Sequence, residues 1–256
     1  MQRIPTGSFV WHNLVTPDAK NAAAFYSEIA NWHTTPWEYD ERDFTLFTVD
    51  GEEFGGAVAP ASDVVDAAPS APRWVPYVYV YDVDACARQA AKIGGSLRKG
   101  PFEVPNVGSW AIVGDPQGAT LGLFEPEVIP PEKTLAPRAT QFSWHELMTT
   151  DYHAAFEFYK QLFHWTAIAE NDMGEHGTYL TFGQNGQACG GMFNKPGATP
   201  SWLSYLRVND VKIAAQTAQR LGATVHLGPV EVPGGDWIVQ CTDREGAPFA
   251  MHAPRA

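Results

Sequence analysis

A carboxylate, a guanidinium and an imidazole in the second half of the chain are the side chains best suited to acid–base chemistry. They are Glu146, Arg207 and His252. Glutamate and histidine act as general bases or acids, and arginine fixes a carboxylate or an enolate. Burial of such groups is costly unless they pair or are used. They are therefore our candidate catalytic residues; in the alternative interpretation, Glu146 and Arg207 form a salt bridge and His252 is exposed near the chain end.

Bulk composition excludes several classes of protein. The formal net charge is -12 and the pI is about 5.0, which opposes nonspecific binding to nucleic acid or to anionic membranes. The three cysteines are far apart, so they predict neither a disulfide framework nor a cysteine-based zinc site. The first residues lack the apolar core of a secretory signal, and no apolar run approaches the roughly 18 residues of a spanning helix. We therefore expect a cytoplasmic protein.

The sequence contains an internal duplication. Residues 9–18 (FVWHNLVTPD) match residues 142–151 (FSWHELMTTD) at an offset of 133, and Trp74 and Asp115 recur as Trp202 and Asp243 at an offset of 128. The change in offset is explained by a Pro- and Ala-rich insertion, residues 59–72, in the first copy. Residues 126–138 are rich in proline, which disfavours helix and central strand. We predict an N-terminal domain over residues 1–125, a linker over 126–138 and a C-terminal domain over 139–256.

Each copy is predicted to contain two βαβββ units. In the first unit, residues 8–15 alternate as a strand, Asp18 caps a helix, and three short strands follow, with a tight turn at Asp50 and Gly51. The second unit repeats this order with a strand over 75–81, a helix over 83–93 that ends at a glycine pair, and three more strands. The fold class is therefore α+β, with four such units in the chain.

This arrangement resembles the vicinal oxygen chelate superfamily, which includes glyoxalase I, bleomycin-resistance proteins and extradiol dioxygenases. The resemblance rests on an Asp before a helix that contains Phe-Tyr (Asp18 with 25–26, Asp151 with 158–159), on the strand–helix–Gly elements at 80–94 and 208–222, and on Asp-x-x-Gly before each last strand. It implies tandem glyoxalase-like domains whose sheets each curl into a cup. It also implies a small-molecule ligand and pairing of the domains within the chain, while assembly into a homodimer stays open.

In metal-dependent members of this superfamily, His or Glu side chains on the concave face of the cup hold a divalent cation. Transferred by spacing, those positions hold residues without metal-binding side chains: Trp11 and Trp144, Val75 and Leu203, Gly122 and Ala250, and the pairs Gly55-Gly56 and Gly190-Gly191. We therefore predict no cofactor and no metal ligand at these positions. His12 and His145 follow the first position by one residue, so strand parity turns them away from the cup.

Reading every second residue from these positions gives the side chains predicted to face each cup. The first cup is aromatic and nearly uncharged, with Trp11, Asn13 and Tyr77 as candidate substrate-binding residues. The second cup adds charge to apolar and aromatic groups. Its candidate substrate-binding residues are Trp144, Met148 and Tyr205, and its candidate catalytic residues are Glu146, Arg207 and His252.

Three functional hypotheses follow from these cups. The first is a protein that binds a small organic molecule in an aromatic cup without a metal. The second is an enzyme of the lyase, isomerase or oxygenase type that acts on a small oxygenated metabolite through the polar residues of the second cup. The third keeps a divalent metal but recruits other residues, such as His145, Glu146 and His252.

Overall fold

A computed structural model describes residues 4–38, 44–60, 71–128 and 140–254. The larger part of the predicted linker and residues 61–70 of the predicted insertion lie outside these ranges. Within them the chain forms two eight-stranded mixed sheets and four α-helices, which confirms the α+β class. Each half of the duplicated sequence supplies one sheet, while the exact domain boundaries remain a prediction.

The first sheet has the strand order β2-β3-β4-β1-β5-β8-β7-β6, with parallel pairing of β1 with β4 and of β5 with β8. Its strands are β1 (Phe9–Val15), β2 (His33–Pro36), β3 (Phe44–Val49), β4 (Glu52–Val58), β5 (Arg73–Tyr79), β6 (Ser96–Val104), β7 (Gly108–Gly114) and β8 (Thr120–Pro126).

The second sheet repeats this topology in the order β10-β11-β12-β9-β13-β16-β15-β14, as the duplication predicts. Its strands are β9 (Phe142–Thr149), β10 (Thr166–Asp172), β11 (Thr178–Gln184), β12 (Gln187–Asn194), β13 (Ser201–Arg207), β14 (Thr224–Glu231), β15 (Trp237–Thr242) and β16 (Pro248–Ala253).

Each α-helix begins after an aspartate whose carboxylate accepts a backbone N–H of the first turn. Such caps satisfy amide groups that have no partner inside the helix. The helices are α1 (Ala19–Ala30), α2 (Val83–Lys92), α3 (Tyr152–Phe163) and α4 (Val211–Arg220). Among the described residues, no helix is both long and apolar enough to cross a lipid bilayer.

The packing of the described residues divides the chain into two compact units. Unit 1 contains residues 4–11, 75–128 and 144–202, and unit 2 contains residues 12–38, 44–60, 71–74, 140–143 and 203–254. Each unit therefore combines one βαβββ element of the first half with one of the second half, which the sequence did not predict.

The core of unit 1 is built around the Tyr159 hydroxyl. It donates to Asp115 at 3.1 Å and accepts the indole N–H of Trp202 at 3.2 Å. The indole N–H of Trp165 donates to the Gly7 carbonyl at 3.0 Å. Asp115 and Gly7 belong to the first half of the sequence and the three rings to the second, and all of these rings are buried, so the hydrogen bonds compensate for the desolvation of their polar atoms.

Unit 2 repeats this network at the equivalent positions. The Tyr26 hydroxyl donates to Asp243 at 3.0 Å and accepts the indole N–H of Trp74 at 2.9 Å. The indole N–H of Trp32 donates to the Thr140 carbonyl at 2.5 Å. Trp74 and Trp202 are thus core residues with a structural hydrogen bond.

Candidate functional site

Aromatic rings occupy the space next to the glycines that are predicted to correspond to superfamily metal positions. A Cβ atom on Gly191 would lie 2.1 Å from the Tyr179 ring, and one on Gly122 would lie 2.1 Å from the Tyr77 ring. A Cβ atom on Gly56 would lie 2.0 Å from the Phe44 ring. Real Cβ atoms do not approach other heavy atoms this closely, so these rings require glycine at the three positions.

The residues at these positions do not fit a divalent cation. Trp144, Val75 and Leu203 have no carboxylate or imidazole, and the space in which a longer side chain could project from the glycines is filled by rings. Over residues 4–38, 44–60, 71–128 and 140–254, no group of three or more His, Cys, Asp or Glu side chains is arranged to hold a metal ion. We therefore derive no chemistry through a metal.

Gly191→Ala tests this packing. We expect the substitution to displace the Tyr179 ring and lower the free energy of unfolding by about 1–3 kcal/mol, the usual cost of overpacking. Urea denaturation of the single variants and of the double variant with Tyr179→Ala provides the measurement. In the double variant the alanine at position 191 should cost little, because the ring that it meets is gone. If the losses of stability in the two single variants add up in the double variant, the proposed clash between the alanine Cβ atom and the Tyr179 ring is contradicted.

Tyr179 brings two of the predicted site residues together in unit 1. Its hydroxyl accepts the indole N–H of Trp144 at 3.0 Å and donates to the Glu146 carboxylate at 3.1 Å. Trp144 and Glu146 are two residues apart on β9, so they lie on one face of the strand, as their alternation predicts. Burial, and then the charge of Glu146, raise the pKa of Tyr179 well above its usual value. The phenol therefore stays protonated and remains a donor to Glu146.

Further side chains of unit 1 extend this cluster. The rings of Phe193 and Tyr179 are stacked, with their centroids 6.0 Å apart. Met148, the next residue on the Glu146 face of β9, has its sulfur 3.5 Å from the Lys195 ammonium. We call Trp144, Glu146, Met148, Tyr179 and Phe193 the Trp144 cluster; its rings are partly exposed, whereas Glu146 is buried. The sequence did not indicate Tyr179, because β11 contains none of the predicted metal positions. Phe193 lies two residues after Gly191 on β12 and was not among the predicted residues.

A second group of predicted site residues lies in unit 2. Arg207 on β13 and His252 on β16 are register partners in parallel strands, so their side chains share a face. Tyr205 lies on the same face, edge-on to the His252 ring at 6.5 Å between centroids, and its hydroxyl accepts a hydrogen bond from Gln240 at 2.7 Å. We call Tyr205, Arg207 and His252, with their partners, the His252 cluster. The three candidate catalytic residues are thus divided between the units, with Glu146 in unit 1 and the other two in unit 2.

His252 is held by two side chains that the sequence did not indicate. Its Nε2 lies 2.5 Å from Ser143 Oγ, and its Nδ1 lies 3.5 Å from Asp236 Oδ2. Its side chain is only 14% exposed, unlike the exposed terminal histidine of the alternative interpretation. Burial lowers the pKa of His252, Asp236 opposes this change, and Arg207 adds to it. The imidazole is therefore neutral at pH 7 and can accept a proton.

The candidates of the first half occupy more enclosed positions. Tyr77 is buried on β5, and its ring covers Gly122. Asn13 is buried on β1 in register with Gly56, and Trp11 is partly exposed on the same strand. The substrate-binding role of these residues remains a prediction.

The two histidines next to the metal positions face the cores. His145 is buried in unit 1, stacked on Phe9 at 3.5 Å between centroids, with its Nδ1–H donated to the Cys189 carbonyl at 3.3 Å. His12 is buried in unit 2 with its ring 4.4 Å from that of Phe142. Strand parity predicted this orientation, and it gives His12 and His145 packing contacts in the cores.

Comparison with known proteins agrees with the fold. Residues 141–251 match the family model described as Glyoxalase/Bleomycin resistance protein/Dioxygenase superfamily. A protein of Mycobacterium tuberculosis, provisionally named glyoxylase CFP32, is 27% identical, with 95% of this chain and 94% of that protein aligned. The anthracycline biosynthesis protein DnrV of Streptomyces peucetius is 26% identical, with 98% and 94% aligned.

A solved structure with the same fold is that of a dioxygenase. The 2,2',3-trihydroxybiphenyl 1,2-dioxygenase of Sphingomonas wittichii superposes with a TM-score of 0.69 at 14% identity, covering 97% of this chain and 90% of that one. At this identity the likeness shows the fold alone. Residues 141–251 therefore match the glyoxalase/bleomycin resistance protein/dioxygenase superfamily in sequence, and the second sheet that they form has the same topology as the first.

Proposed function

We propose that this protein binds a small, planar, hydroxylated aromatic molecule at the Trp144 cluster, without a metal ion at the superfamily positions. The observation that carries the proposal is the replacement of potential ligand side chains by rings, above all Tyr179 over Gly191. Rings on a sheet surface offer stacking partners for an aromatic ligand, worth ~0.5–1.5 kcal/mol per pair beyond the buried area. A cup in which rings occupy the places predicted for metal ligands is suited to binding such a molecule.

The polar atoms of the cluster supply orientation. The Glu146 carboxylate accepts hydrogen bonds, so it favours a ligand that presents a hydroxyl or amine. A hydrogen bond from the Tyr179 hydroxyl on β11 holds this carboxylate in one position. An apolar surface with a few fixed polar groups is the usual composition of a small-molecule site. The name of DnrV, an anthracycline biosynthesis protein, supports a polycyclic aromatic ligand as the first class to examine.

Titration of the full chain with alizarin, a hydroxylated anthraquinone, tests the binding function. We expect quenching of tryptophan fluorescence with a Kd on the order of micromolar, and Trp144→Ala should weaken binding about tenfold, or ~1.4 kcal/mol. Tyr81→Leu is the matched control, because Tyr81 is an exposed aromatic residue of the same unit outside the cluster. Isothermal titration calorimetry gives the affinity of Trp144→Ala independently of the lost fluorophore. Equal affinities of Trp144→Ala and Tyr81→Leu for alizarin would refute binding at the Trp144 cluster.

Elemental analysis of protein purified without chelator tests the metal-free part of the proposal. We expect substoichiometric zinc, iron, manganese and nickel. A stoichiometric amount of any of these metals, retained after dialysis, would overturn that part and favour a site built from other residues.

A further inference from the structure

The order Ser143–His252–Asp236 in unit 2 is that of a hydrolytic catalytic triad. The hydroxyl contacts Nε2 of the imidazole at 2.5 Å, and the carboxylate contacts Nδ1 at 3.5 Å. A carboxylate at Nδ1 favours the tautomer with its proton on that nitrogen, which leaves the Nε2 lone pair to accept the serine proton. Catalytic hydrogen bonds are often longer in the absence of substrate and shorten when it binds. Each of the three groups therefore has the partner that its role requires.

Secondary structure fixes the three positions independently. Ser143 is the second residue of β9, His252 lies on β16, and Asp236 comes directly before β15, the strand that pairs with β16. In the first sequence repeat, the positions equivalent to Ser143 and His252 hold Val10 and Phe124. The fold therefore forms without a hydroxyl or an imidazole at these places, so their presence in the second repeat is not a requirement of the architecture.

The surroundings of His252 supply the remaining parts of such a site. Arg207 is the register partner of His252, and its permanent positive charge acts on the imidazole, whose pKa it lowers. A guanidinium in this place can stabilise the negative oxygen of a tetrahedral intermediate. Tyr205, held by Gln240, packs edge-on to the imidazole and limits its movement. Asp236 is 48% exposed, so the base is close to solvent and the site is accessible to water.

We propose that Ser143, His252 and Asp236 form an ester-hydrolysing site, distinct from the Trp144 cluster, that acts on small acyl esters. Ser143 Oγ attacks the acyl carbon while its proton passes to His252 Nε2, and the carbonyl oxygen becomes an oxyanion beside Arg207. Collapse of this intermediate breaks the acyl–oxygen bond, and the departing alcohol takes the proton from His252. Water, deprotonated by His252, then attacks the acyl-serine, which releases a carboxylic acid and restores the Ser143 hydroxyl. Asp236 acts as a positioning residue through His252.

Covalent labelling of the full chain with diisopropyl fluorophosphate tests the nucleophile. We expect one adduct, located by peptide mass spectrometry at Ser143, and a stoichiometric burst of nitrophenolate from p-nitrophenyl acetate. His252→Gln should slow both reactions at least a hundredfold. The matched control is His226→Gln, since His226 Nε2 also contacts a hydroxyl, Thr242 Oγ1 at 2.7 Å, in the same unit. Labelling elsewhere, or at Ser143 with an unchanged rate in His252→Gln, would overturn the proposal.

The substitution Asp236→Asn distinguishes a positioning role of Asp236 from a purely structural role. Because the Asp236 carboxylate raises the pKa of His252, its removal should move the midpoint of the pH–rate profile for labelling to lower pH, as well as slowing the reaction. An unchanged profile would remove Asp236 from the site. If the variant Ser143→Ala does not fold, two other measurements decide the same question. The first is the position of the adduct in the wild-type chain. The second is the rate at which iodoacetamide labels Ser143→Cys, measured with and without the additional substitution His252→Gln. Alizarin binding by these variants separates a failure here from a failure of the Trp144 cluster.

Discussion

Two separately produced halves of the chain, residues 1–128 and 138–256, should each lack a cooperative unfolding transition. The buried cluster of unit 2 joins Tyr26, Trp32 and Trp74 from the first half to Phe142 and Phe249 from the second. Exposure of one such side chain costs ~1.5–3 kcal/mol, and the whole stability of a domain is only ~5–15 kcal/mol. Each half, when produced alone, lacks several of these packing partners at once. Its loss of stability is therefore the largest effect that we expect.

Urea denaturation followed by tryptophan fluorescence measures this effect. Mixing the two halves should restore a cooperative transition, because the networks of Tyr26 with Asp243 and of Tyr159 with Asp115 can form again. The control is a chain with a protease site placed in residues 126–138 and then cleaved, which breaks the backbone without separating the halves. If each half alone unfolds cooperatively as a monomer, the predicted domains 1–125 and 139–256 are independent and the two cores do not depend on both halves.

Acidification from pH 7 to pH 4 should remove about 3 kcal/mol of stability through His145 alone. Burial lowers the pKa of His145 to about 3, against an unfolded value of about 6.5. At pH values between these two pKa values, His145 therefore binds a proton in the unfolded chain but not in the folded chain. The contribution of His145 to stability is complete above pH 6.5 and is lost as the pH falls towards 3. The physical cause is the desolvation of a ring that lies stacked on Phe9 in the core.

The measurement is the free energy of unfolding in urea at several pH values between 4 and 7. His145→Gln should lower stability at pH 7 but flatten its dependence on pH, since glutamine does not titrate. The matched control, His33→Gln, removes an exposed histidine and should leave the slope unchanged. A wild-type slope that persists in His145→Gln would show that other groups cause the acid sensitivity.

Much of the local structure was predictable from the sequence because short-range physics controls it. Asp18 caps the first helix as predicted, and Asp82, Asp151 and Asp210 cap the other three in the same way, since a carboxylate one residue before a helix meets unpaired amides. The strand predicted over residues 8–15 is observed as Phe9–Val15, whereas the strand expected over 75–81 runs from Arg73 to Tyr79 instead. The shift leaves Tyr81 outside the sheet and exposed.

The candidate site was predictable only in part. Alternation along β9 placed Trp144 and Glu146 on one face, and alternation along β13 and β16 assigned Arg207 and His252 to one cup, where the observed register pairs them. Tyr179, Ser143 and Asp236 were not indicated, because each contacts the predicted residues from another strand or from the end of one. Distances of this kind depend on sheet register, which a single sequence does not reveal.

The sequence by itself determined the duplication and the α+β class and indicated the resemblance to the superfamily, since these follow from patterns repeated along one chain. It also predicted that side chains suited to a metal are missing from the expected positions. Tertiary structure alone decided that each compact unit combines elements of both halves, and that rings fill the space beside Gly56, Gly122 and Gly191. The reason is that local periodicity reports which face of an element is apolar, whereas the partner of that face is chosen by long-range packing.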